Sequence, residues 1–508
     1  MKRATFVASS LDAATTGATL GVGLWVAVTI ILAPTISKGS PAWSAAGMLG
    51  AFPWLVGWIL LGFMFGFAWP GVAAVLPRVK RARKAKGAGI RIVILGGGFA
   101  GVASAKALER MYFFNPLIEI TLVSDTNALV FTPMLAEVAG SSLEPSHISN
   151  PTRTALHRTT FFRARVTDVD FERRVVVAGE DELPYDYLVL ALGSVSQYVG
   201  LENVQHHSFE FRTLPDAIAI RSHVIEMFER ADRLEDPTAR RALLTFVVAG
   251  GGFAGAELAG AINDFARGIV VDYPRLRNDE IKVVLVHSRE RILPELSSSL
   301  ARYALERMQA RGVTFKLNVR VADATSSTVH LDSGETIATE TLVWTAGTAP
   351  NPLLRTLDLR CDKRGAVLVE PTLAVKQHQN IWAIGDCAAV VDARTGVTCP
   401  PTAQFATREA ATAASNIRAA IDGRAAGEFR FRSFGSLCVV GYQTACAELK
   451  LPFRSEAVRF SGLFAWILWR GIYLAKLPGA ERKLRVLIDW SIGLFFPPDI
   501  VQTIDQRT

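Results

Sequence analysis

Hydrophobic and polar positions divide the chain into two parts with different patterns. Between Asp12 and Arg78 the only charged residue is Lys38, which separates two apolar runs at about 14–33 and about 48–76. Each run reaches the roughly 20 residues that a helix needs to cross a bilayer. A cleavable signal peptide is disfavoured for the first run, because no small-x-small site precedes a soluble region and a longer run follows at once. The pattern predicts two N-terminal transmembrane helices.

From about residue 87, short strand-like apolar runs alternate with longer helical stretches. One succession of predicted elements occurs twice. It consists of a strand, the hexapeptide Gly-Gly-Gly-Phe-Ala-Gly, a helix, a second strand, a group of short additional strands and a final strand that ends at glycine. The hexapeptide is identical at 96–101 and 250–255. The alternation predicts an α/β fold with two Rossmann-like dinucleotide-binding domains, the second inserted in the first. The predicted domains are a membrane anchor with a basic linker at 1–86, a first dinucleotide domain at 87–210 and 346–430, a second at 211–345, and a C-terminal region at 431–508.

The context of each hexapeptide, after a strand and before a helix, is that of a dinucleotide-binding loop. The expected roles are a tight turn for Gly96 and Gly250, close backbone approach to a pyrophosphate for Gly98 and Gly252, and helix-on-strand packing for Gly101 and Gly255. The following helix N-terminus supplies N–H donors to the phosphates. A glycine turn that serves helix packing alone is the alternative for a single copy, and the second copy argues against it. Two such sites indicate two redox cofactors that exchange a hydride.

Charge is concentrated at the N-terminus. Residues 1–86 carry nine Lys or Arg and one acid, whereas the rest of the chain carries 46 of each sign. The high pI therefore gives no indication of nucleic-acid binding. Six of the nine residues 78–86 are basic, and Lys2 and Arg3 lie before the first run. The positive-inside bias predicts a multi-pass protein of the cell (inner) membrane with its catalytic body on the cytoplasmic side.

The cysteines show no metal-binding or disulfide spacing. All five lie in the body, without a CxxC pair, and are interpreted as small buried apolar residues: Cys361, Cys387, Cys399, Cys438 and Cys446.

From about 90 to 440 the chain resembles the type II NADH dehydrogenases, single-subunit NAD(P)H:quinone oxidoreductases of the two-dinucleotide-binding-domain flavoprotein superfamily. Seven segments carry the resemblance: Gly96–Gly101, Phe131–Leu135, Ala191–Gly193, Gly250–Glu257, Thr345–Gly347, Ala383–Asp386 and Pro401–Gln404. The resemblance implies FAD in the first domain, NAD(P)H as substrate in the second, and a membrane quinone as acceptor on the opposite flavin face, without proton pumping.

Matching positions supply the candidate cofactor-binding residues. For FAD they are Gly96, Gly98, Phe99, Ala100, Gly101, Ser124, Asp125, Pro133, Gly193, Gly385, Asp386, Ala403 and Gln404. For NAD(P)H they are Gly250, Gly252, Phe253, Gly255, Glu257, His287, Arg289 and Gly347. Asp386, which follows a strand, is placed to bind the hydroxyls of a ribityl chain; a plain Gly-Asp turn is the alternative.

Three of the matching positions are candidate catalytic residues. The resemblance places Glu257 near nicotinamide and flavin, and the alternative is an acid that complements the helix dipole. On the quinone side the family shows Ala-Gln-x-Ala-x-Gln, of which Gln404 is present and Arg408 replaces the second glutamine. Since they lie four residues apart, both occupy one helix face. Arg408 either binds a quinone oxygen or pairs with Glu409 or another neighbour.

Both strands that normally end in a ribose-binding acid depart from that pattern. The first ends Val123-Ser124-Asp125, so that serine or the next aspartate must serve. The second reads His287-Ser288-Arg289-Glu290-Arg291. Because NADP sites use Arg at this place, we expect NADPH to be accepted.

The C-terminal tail is amphipathic. Residues 460–477 and 484–496 combine aromatic and aliphatic bulk with basic residues, which is typical of helices that lie in a membrane interface. The alternative is a helix pair packed on the body or in the interface of a homodimer.

Two other functions remain open. A sulfide:quinone oxidoreductase needs cysteines beside the flavin, whereas here no cysteine precedes Cys361 and the second loop is intact. A redox sensor that binds FAD and NAD(P)H without turnover has no feature of its own in the sequence.

Overall fold

The computed structural model describes residues 13–14, 17–18, 20–21, 24–38, 45–75, 89–376, 378–450 and 456–502. Its contacts divide the chain into two units. One comprises 1–87 and 477–488, and the other 88–476 and 489–508.

The N-terminal unit contains a π-helix at Trp25–Leu32 and helices at Ala33–Lys38 and Ala45–Val75. Gly17 and Gly62 lie so close that a Cβ on either would meet the other's carbonyl oxygen at 2.0–2.1 Å. Across the described parts of the chain, no helix combines the length and the apolarity needed to cross a membrane. The two predicted transmembrane helices are therefore not confirmed.

Two mainly parallel sheets form the centre of the larger unit. The first sheet has six strands, parallel except for the edge strand Ala374–Val375, in the order Ala374–Val375, His378–Ala383, Tyr187–Leu190, Ile90–Leu95, Ile118–Ser124 and Thr160–Arg163. The second has five parallel strands, in the order Phe209–Glu210, Thr341–Trp344, Thr245–Ala249, Lys282–His287 and Val313–Leu317. Because His378–Ala383 joins the first sheet after the whole second sheet has been formed, the second sheet is an insertion in the first. The α/β dinucleotide-binding fold predicted from the repeated order of parts is confirmed.

Smaller strand groups surround these sheets, and all are antiparallel except the parallel pair Val367–Leu368 with Ala388–Ala389. Each sheet carries a three-stranded excursion, at Val166–Asp170, Val175–Ala178 and Asp181–Pro184 and at Val321–Ala324, Thr328–Leu331 and Thr336–Ala338. Three two-stranded pairs join Ala128–Val130 to Ser149–Pro151, Ser194–Ser196 to Thr348–Pro350, and Val367–Leu368 to Ala388–Ala389. A three-stranded C-terminal sheet, at Gly435–Val439, Ala445–Leu449 and Val458–Ser461, was not predicted.

The helices of the larger unit lie at Phe99–Met111, Leu135–Ala139, Thr152–Ala155, Glu202–His206, Leu214–Asp232, Pro237–Arg240, Phe253–Ile269, Ser298–Ala310, Ala403–Ile421 and Gly462–Lys476. A further helix, Ala480–Ile492, has residues in both units. Short 3₁₀ turns lie at Thr132–Met134, Pro145–Ile148, Val270–Asp272, Asn278–Glu280, Pro352–Arg355 and Gly385–Cys387. We call Phe99–Met111 and Phe253–Ile269 the first and second nucleotide helices, Ala403–Ile421 the Gln404 helix, and Gly462–Lys476 the tail helix.

Small residues let the first nucleotide helix and the Gln404 helix pack closely. Ala100 and Ala105 of one helix share a buried core with Ala406 and Ala410 of the other. A Cβ on Gly385 would lie 3.2 Å from that of Ala100 and 3.7 Å from that of Ala406. The loop before Asp386 is thereby held where the two helices meet.

The tail helix packs on the C-terminal sheet. Ala465 and Trp466 join its core, whereas Leu463, Phe464 and Ile467 on the same helix are exposed. The tail helix thus has one apolar face packed on the C-terminal sheet and a second apolar face that is exposed.

Candidate functional site

The two glycine loops have the same backbone geometry. Gly96 and Gly250 adopt φ of +110° and +119°, a region that favours glycine. A Cβ on Gly101 would meet the carbonyl oxygen of Gly96 at 1.9 Å, and one on Gly255 would meet that of Gly250 at 1.8 Å. Each helix can therefore approach its own loop only because the third glycine has no side chain.

The middle glycine of each loop, unlike the first and third, is not in close contact with the chain. A Cβ on Gly98 or Gly252 would have no heavy atom within 4 Å. Both residues are extended N-caps, and neither nucleotide helix has a side-chain cap. Their first N–H groups thus face an open space beside a glycine backbone, which fits the pyrophosphate of FAD in the first loop and of NAD(P)H in the second. Phe99 and Phe253 begin these helices.

Asp386 lies in a polar cluster beside the first loop. Ser194 Oγ donates to Asp386 Oδ2 at 2.7 Å, and Arg212 Nη2 donates to Ser194 Oγ at 2.8 Å. The second carboxylate oxygen is left for a hydroxyl donor, as a ribityl chain offers. Gly193, at φ +68°, makes the turn that leads to Ser194.

Glu409 is a buried acid of this site that was not predicted as a site residue. It is 2% exposed, and its Oε2 accepts the N–H of Gly385 at 2.6 Å. Burial raises the pKa of Glu409 to about 7. The sequence feature that could have indicated Glu409 is its position five residues after Gln404 on the same helix. Its hydrogen-bond partner, Gly385, is brought to it only by the tertiary fold. Among the described residues no ion pair joins Arg408 to Glu409, and the guanidinium of Arg408 lies against the neighbouring rings of Phe431 and Phe434.

At the end of the strand Ile118–Ser124, Ser124 and Asp125 occupy different surroundings. Ser124 is buried under the loop, where its Oγ lies 2.6 Å from a Cβ placed on Gly97. Asp125 has a half-exposed side chain that pairs with Arg165 at 3.5 Å. Ser124 is the better placed of the two toward the loop.

In the second loop, His287 lies where a ribose-binding acid is usual. Its Nδ1 accepts the N–H of Gly251 at 3.0 Å, so the proton of the neutral ring is on Nε2. Burial and the charge of Arg289 lower the pKa of His287, which keeps the ring neutral. Arg289 is exposed, whereas Arg291 donates to the carbonyl of Pro294 at 3.1 Å. Gly347 is exposed at φ +99°.

Glu257 lines a cavity of about 530 Å³. The carboxylate accepts the N–H of Val439 at 3.2 Å, from the C-terminal sheet. Burial raises the pKa of Glu257 to about 8, and the charge of Glu137 adds to the rise. A group that titrates near neutrality can hold and release a proton under physiological conditions. Pro133, predicted on the FAD side, lines the same cavity.

Gln404 and Arg408 contact residues 431–435 of the C-terminal region, whereas Glu257 contacts Val439. Gln404 Oε1 accepts the N–H of Phe434 at 2.9 Å, and its Nε2 donates to the carbonyl of Gly435 at 3.4 Å. The guanidinium of Arg408 lies 5.5 and 5.6 Å from the ring centroids of Phe431 and Phe434. Ala403, the first residue of this helix, follows the N-cap Thr402.

Sequence comparisons identify the class of protein that this fold and site define. Residues 90–413 match the family Pyridine nucleotide-disulphide oxidoreductase, and residues 434–497 match the NDH2 C-terminal domain. The second match covers most of the region whose sheet the sequence pattern did not predict.

Curated relatives and solved structures identify the family within this class more closely. The type II NADH:quinone oxidoreductase Ndh of Mycobacterium tuberculosis is 31% identical over 79% of this chain and 87% of its own. The internal alternative NAD(P)H-ubiquinone oxidoreductase A1 of Arabidopsis thaliana is 27% identical over 81% and 85%. The structure of NDH2 from Plasmodium falciparum in complex with NADH superposes with a TM-score of 0.73 at 18% identity, over 81% of this chain and 99% of that one. The chain belongs to the type II NADH:quinone oxidoreductase family.

Proposed function

We propose that the protein is a membrane-bound, FAD-dependent NAD(P)H:quinone oxidoreductase that does not pump protons. The proposal rests on the two glycine loops, each of which is open at its middle glycine and leads into a helix without a side-chain cap. If each loop binds a dinucleotide, one chain holds two dinucleotides at equivalent places of its two Rossmann-like domains. The relatives' names supply the quinone as acceptor. FAD, when bound, would accept the hydride of NAD(P)H and pass two electrons to the quinone.

The chain's own residues bind and orient these groups. The N–H groups after Gly98 and Gly252 would hold the two pyrophosphates, and Asp386 would hold the ribityl hydroxyls, with Ser194 fixing its orientation. Glu257 would hold a proton at its carboxyl group near the reacting rings, in the environment that raises its pKa.

The direct test uses the purified yellow protein with NAD(P)H and a short-chain quinone. We expect one quinone reduced for each NAD(P)H oxidised. A flavin that is reduced by NAD(P)H but never reoxidised by quinones would instead indicate the redox sensor.

We propose that NADPH is a substrate as well as NADH. Arg289 is the exposed cation beside His287, at the place where NADP sites hold a 2′-phosphate. We expect Arg289→Gln to raise the KM for NADPH about tenfold, the loss of one charge-assisted contact, with little change for NADH.

Arg291→Gln is the matched control for that test, because Arg291 is already bound to Pro294. It should leave both KM values unchanged. An Arg289→Gln variant that changes both nucleotides equally would refute the phosphate contact.

We propose that Gln404, with Arg408 beside it, lies at the quinone. Gln404→Ala should slow reoxidation of the flavin by quinone about tenfold or more while NAD(P)H reduces the flavin at the normal rate, because the amide holds the Phe434–Gly435 backbone on the acceptor side. Rapid mixing measures the two half-reactions separately. Equal loss in both would show a structural role only.

Asn416 provides a control on the same helix. Its amide also bonds backbone, donating to Thr372 and Gly427 carbonyls at 2.8 Å each. Asn416→Ala should lower thermal stability without affecting one half-reaction more than the other.

Membrane attachment is proposed at both ends of the chain. At the N-terminus the two apolar runs and the basic segment 78–86 favour two spanning helices, with the body on the cytoplasmic side of the cell membrane. Gly17 and Gly21 meet Gly62 and Trp58 by backbone contact, as small residues do between membrane helices. At the other end, exposed Leu463, Phe464 and Ile467 suit a membrane surface; a homodimer through the same face is the alternative.

A sulfide:quinone oxidoreductase is the second candidate. Cys438 lies beside Glu257, so that one cysteine does approach the site. It is completely buried, and burial raises its pKa well above the usual value. A protonated, inaccessible thiol is a poor sulfur carrier, which favours the NAD(P)H reaction.

A further inference from the structure

Glu409 is a buried acid that belongs neither to a nucleotide loop nor to the quinone contacts. It is 2% exposed and lies on the Gln404 helix, one residue after Arg408. Among the described residues, no ion pair compensates its carboxyl group. Because glutamate is rarely buried without a partner, the hydrogen bonds of this side chain indicate why it is there.

The hydrogen-bond partner of Glu409 is the turn that carries Asp386. Glu409 Oε2 accepts the N–H of Gly385 at 2.6 Å. Gly385 adopts φ of +70°, and a Cβ on it would lie 3.2 Å from that of Ala100. The turn is thus packed against the first nucleotide helix and hydrogen-bonded to the Gln404 helix.

The side chain of Asp386 is held separately from its backbone. Ser194 Oγ donates to Asp386 Oδ2 at 2.7 Å. Arg212 Nη2 donates in turn to the hydroxyl and carbonyl oxygens of Ser194, at 2.8 and 3.0 Å. The position of the Asp386 carboxylate therefore depends on two contacts: the one from Ser194 and the one that Glu409 makes with the preceding residue.

Few charges surround Glu409. The other titratable groups on the wall of the cavity that it lines are Asp362, Arg364, Asp386 and Cys399. In the turn, the buried thiol of Cys387 donates to the carbonyl of Ile384 at 3.2 Å. The first nucleotide helix carries no charged residue before Lys106, which lies six residues beyond Ala100.

These surroundings favour the neutral acid. Burial raises the pKa of Glu409 to about 7; the hydrogen bond from Gly385 opposes the rise, and the charge of Asp386 adds to it. A dinucleotide bound at the first loop would add the negative charges of its pyrophosphate and would bury the acid further. A neutral carboxyl group still offers its carbonyl oxygen to the Gly385 N–H, and it adds no charge beside Asp386 and the cofactor.

We propose that Glu409 is a positioning residue of the FAD site, which in its neutral form holds the Gly385–Asp386 turn in the geometry that binds FAD, so that FAD binding is linked to protonation of this acid. The inference rests on the proposed binding of FAD at Asp386. Glu409 acts through the turn. At a pH where the free protein has it ionised, its carboxylate gains an O–H bond, with a proton from the buffer, as the cofactor binds.

The test compares two substitutions of Glu409 in the full-length protein by equilibrium dialysis against a series of FAD concentrations. Glu409→Gln is neutral and its amide oxygen can still accept the Gly385 N–H, so at pH 6 it should bind FAD as tightly as the wild type. Glu409→Leu has a similar volume but no acceptor. Its Kd for FAD should rise about tenfold or more, because FAD must then order a turn that the free protein no longer holds.

The pH dependence of FAD affinity distinguishes positioning by the neutral acid from general support of the fold. Wild-type affinity should be constant below about pH 6. Above about pH 7 it should fall by up to about tenfold per pH unit, because the ionised acid must be protonated for FAD to bind. Glu409→Gln should lack this fall, since an amide does not titrate in this range.

Glu109 provides a matched control on the first nucleotide helix. It is also a buried acid, and its Oε1 accepts the N–H groups of His157, Arg158 and Thr159 at 2.9, 2.7 and 2.7 Å. Glu109→Leu should lower thermal stability, while FAD affinity and its pH profile stay those of the wild type.

Four results would overturn the inference: wild-type FAD affinity in Glu409→Leu, equal losses in Glu409→Leu and Glu409→Gln, an equal loss in Glu109→Leu, or a wild-type affinity that is independent of pH. The comparison of the wild type with Glu409→Gln decides even where Glu409→Leu fails to fold. The proposed function fails separately, if the wild-type protein binds no FAD or if quinone does not reoxidise its flavin.

Discussion

Gly98→Val is expected to give a folded but colourless protein. A Cβ at residue 98 meets no heavy atom of the chain within 4 Å, and φ of −78° is open to any residue, so valine costs the fold little. The same side chain would fill the space before the first nucleotide helix, where the pyrophosphate of FAD must contact backbone N–H groups. Absorption of the purified protein at the flavin bands, after unbound FAD has been removed, measures the result.

The expected loss of FAD affinity is about 10- to 100-fold, from the roughly 1–3 kcal/mol that an added side chain costs in a close-packed contact. NAD(P)H oxidation with quinone should be lost with the flavin. A yellow, active Gly98→Val protein would show that the first loop does not bind FAD.

Gly252→Val is the equivalent change in the second loop and should have the opposite phenotype. Residue 252 has the same open surroundings and a φ of −75°, so folding should again be normal. We expect a yellow protein with wild-type FAD content whose KM for NAD(P)H rises about 10- to 100-fold, for the same steric reason. Equilibrium FAD content and reduction of the flavin at increasing NAD(P)H concentrations separate the two variants.

Each variant is the control for the other, because the substitution and the local backbone are the same. Loss of flavin in both would mean that valine disturbs the fold. Gly255→Ala is a reference for a substitution that does disturb the fold. Its Cβ would lie 1.8 Å from the carbonyl oxygen of Gly250, so the helix would have to move.

Local pattern predicted the strands and helices around the two loops closely. The strands Ile90–Leu95 and Thr245–Ala249 and the helices that follow them lie where the hexapeptides placed them. These elements are specified by adjacent residues: apolar runs buried on both faces of a parallel sheet, then glycines at positions that require them. The C-terminal sheet was missed, because its short strands are stabilised by the tail helix and the adjoining domain rather than by a periodic pattern of their own.

Contacts between distant segments decided the rest of the site. Nothing near Glu137 in sequence indicates that Trp490, 353 residues further on, donates to its carboxylate. Likewise the amide of Gln404 bonds the backbone at Phe434 and Gly435, so its orientation depends on a separate part of the fold.

The sequence alone determined the class of fold, the two nucleotide loops and the membership of a quinone-reducing family, because tight turns and helix starts depend on residues next to each other. Only the tertiary structure decided which acids can hold a proton. Burial and charge partners set a pKa, and for Glu257, Glu137 and Glu409 both come from chain segments brought together by folding.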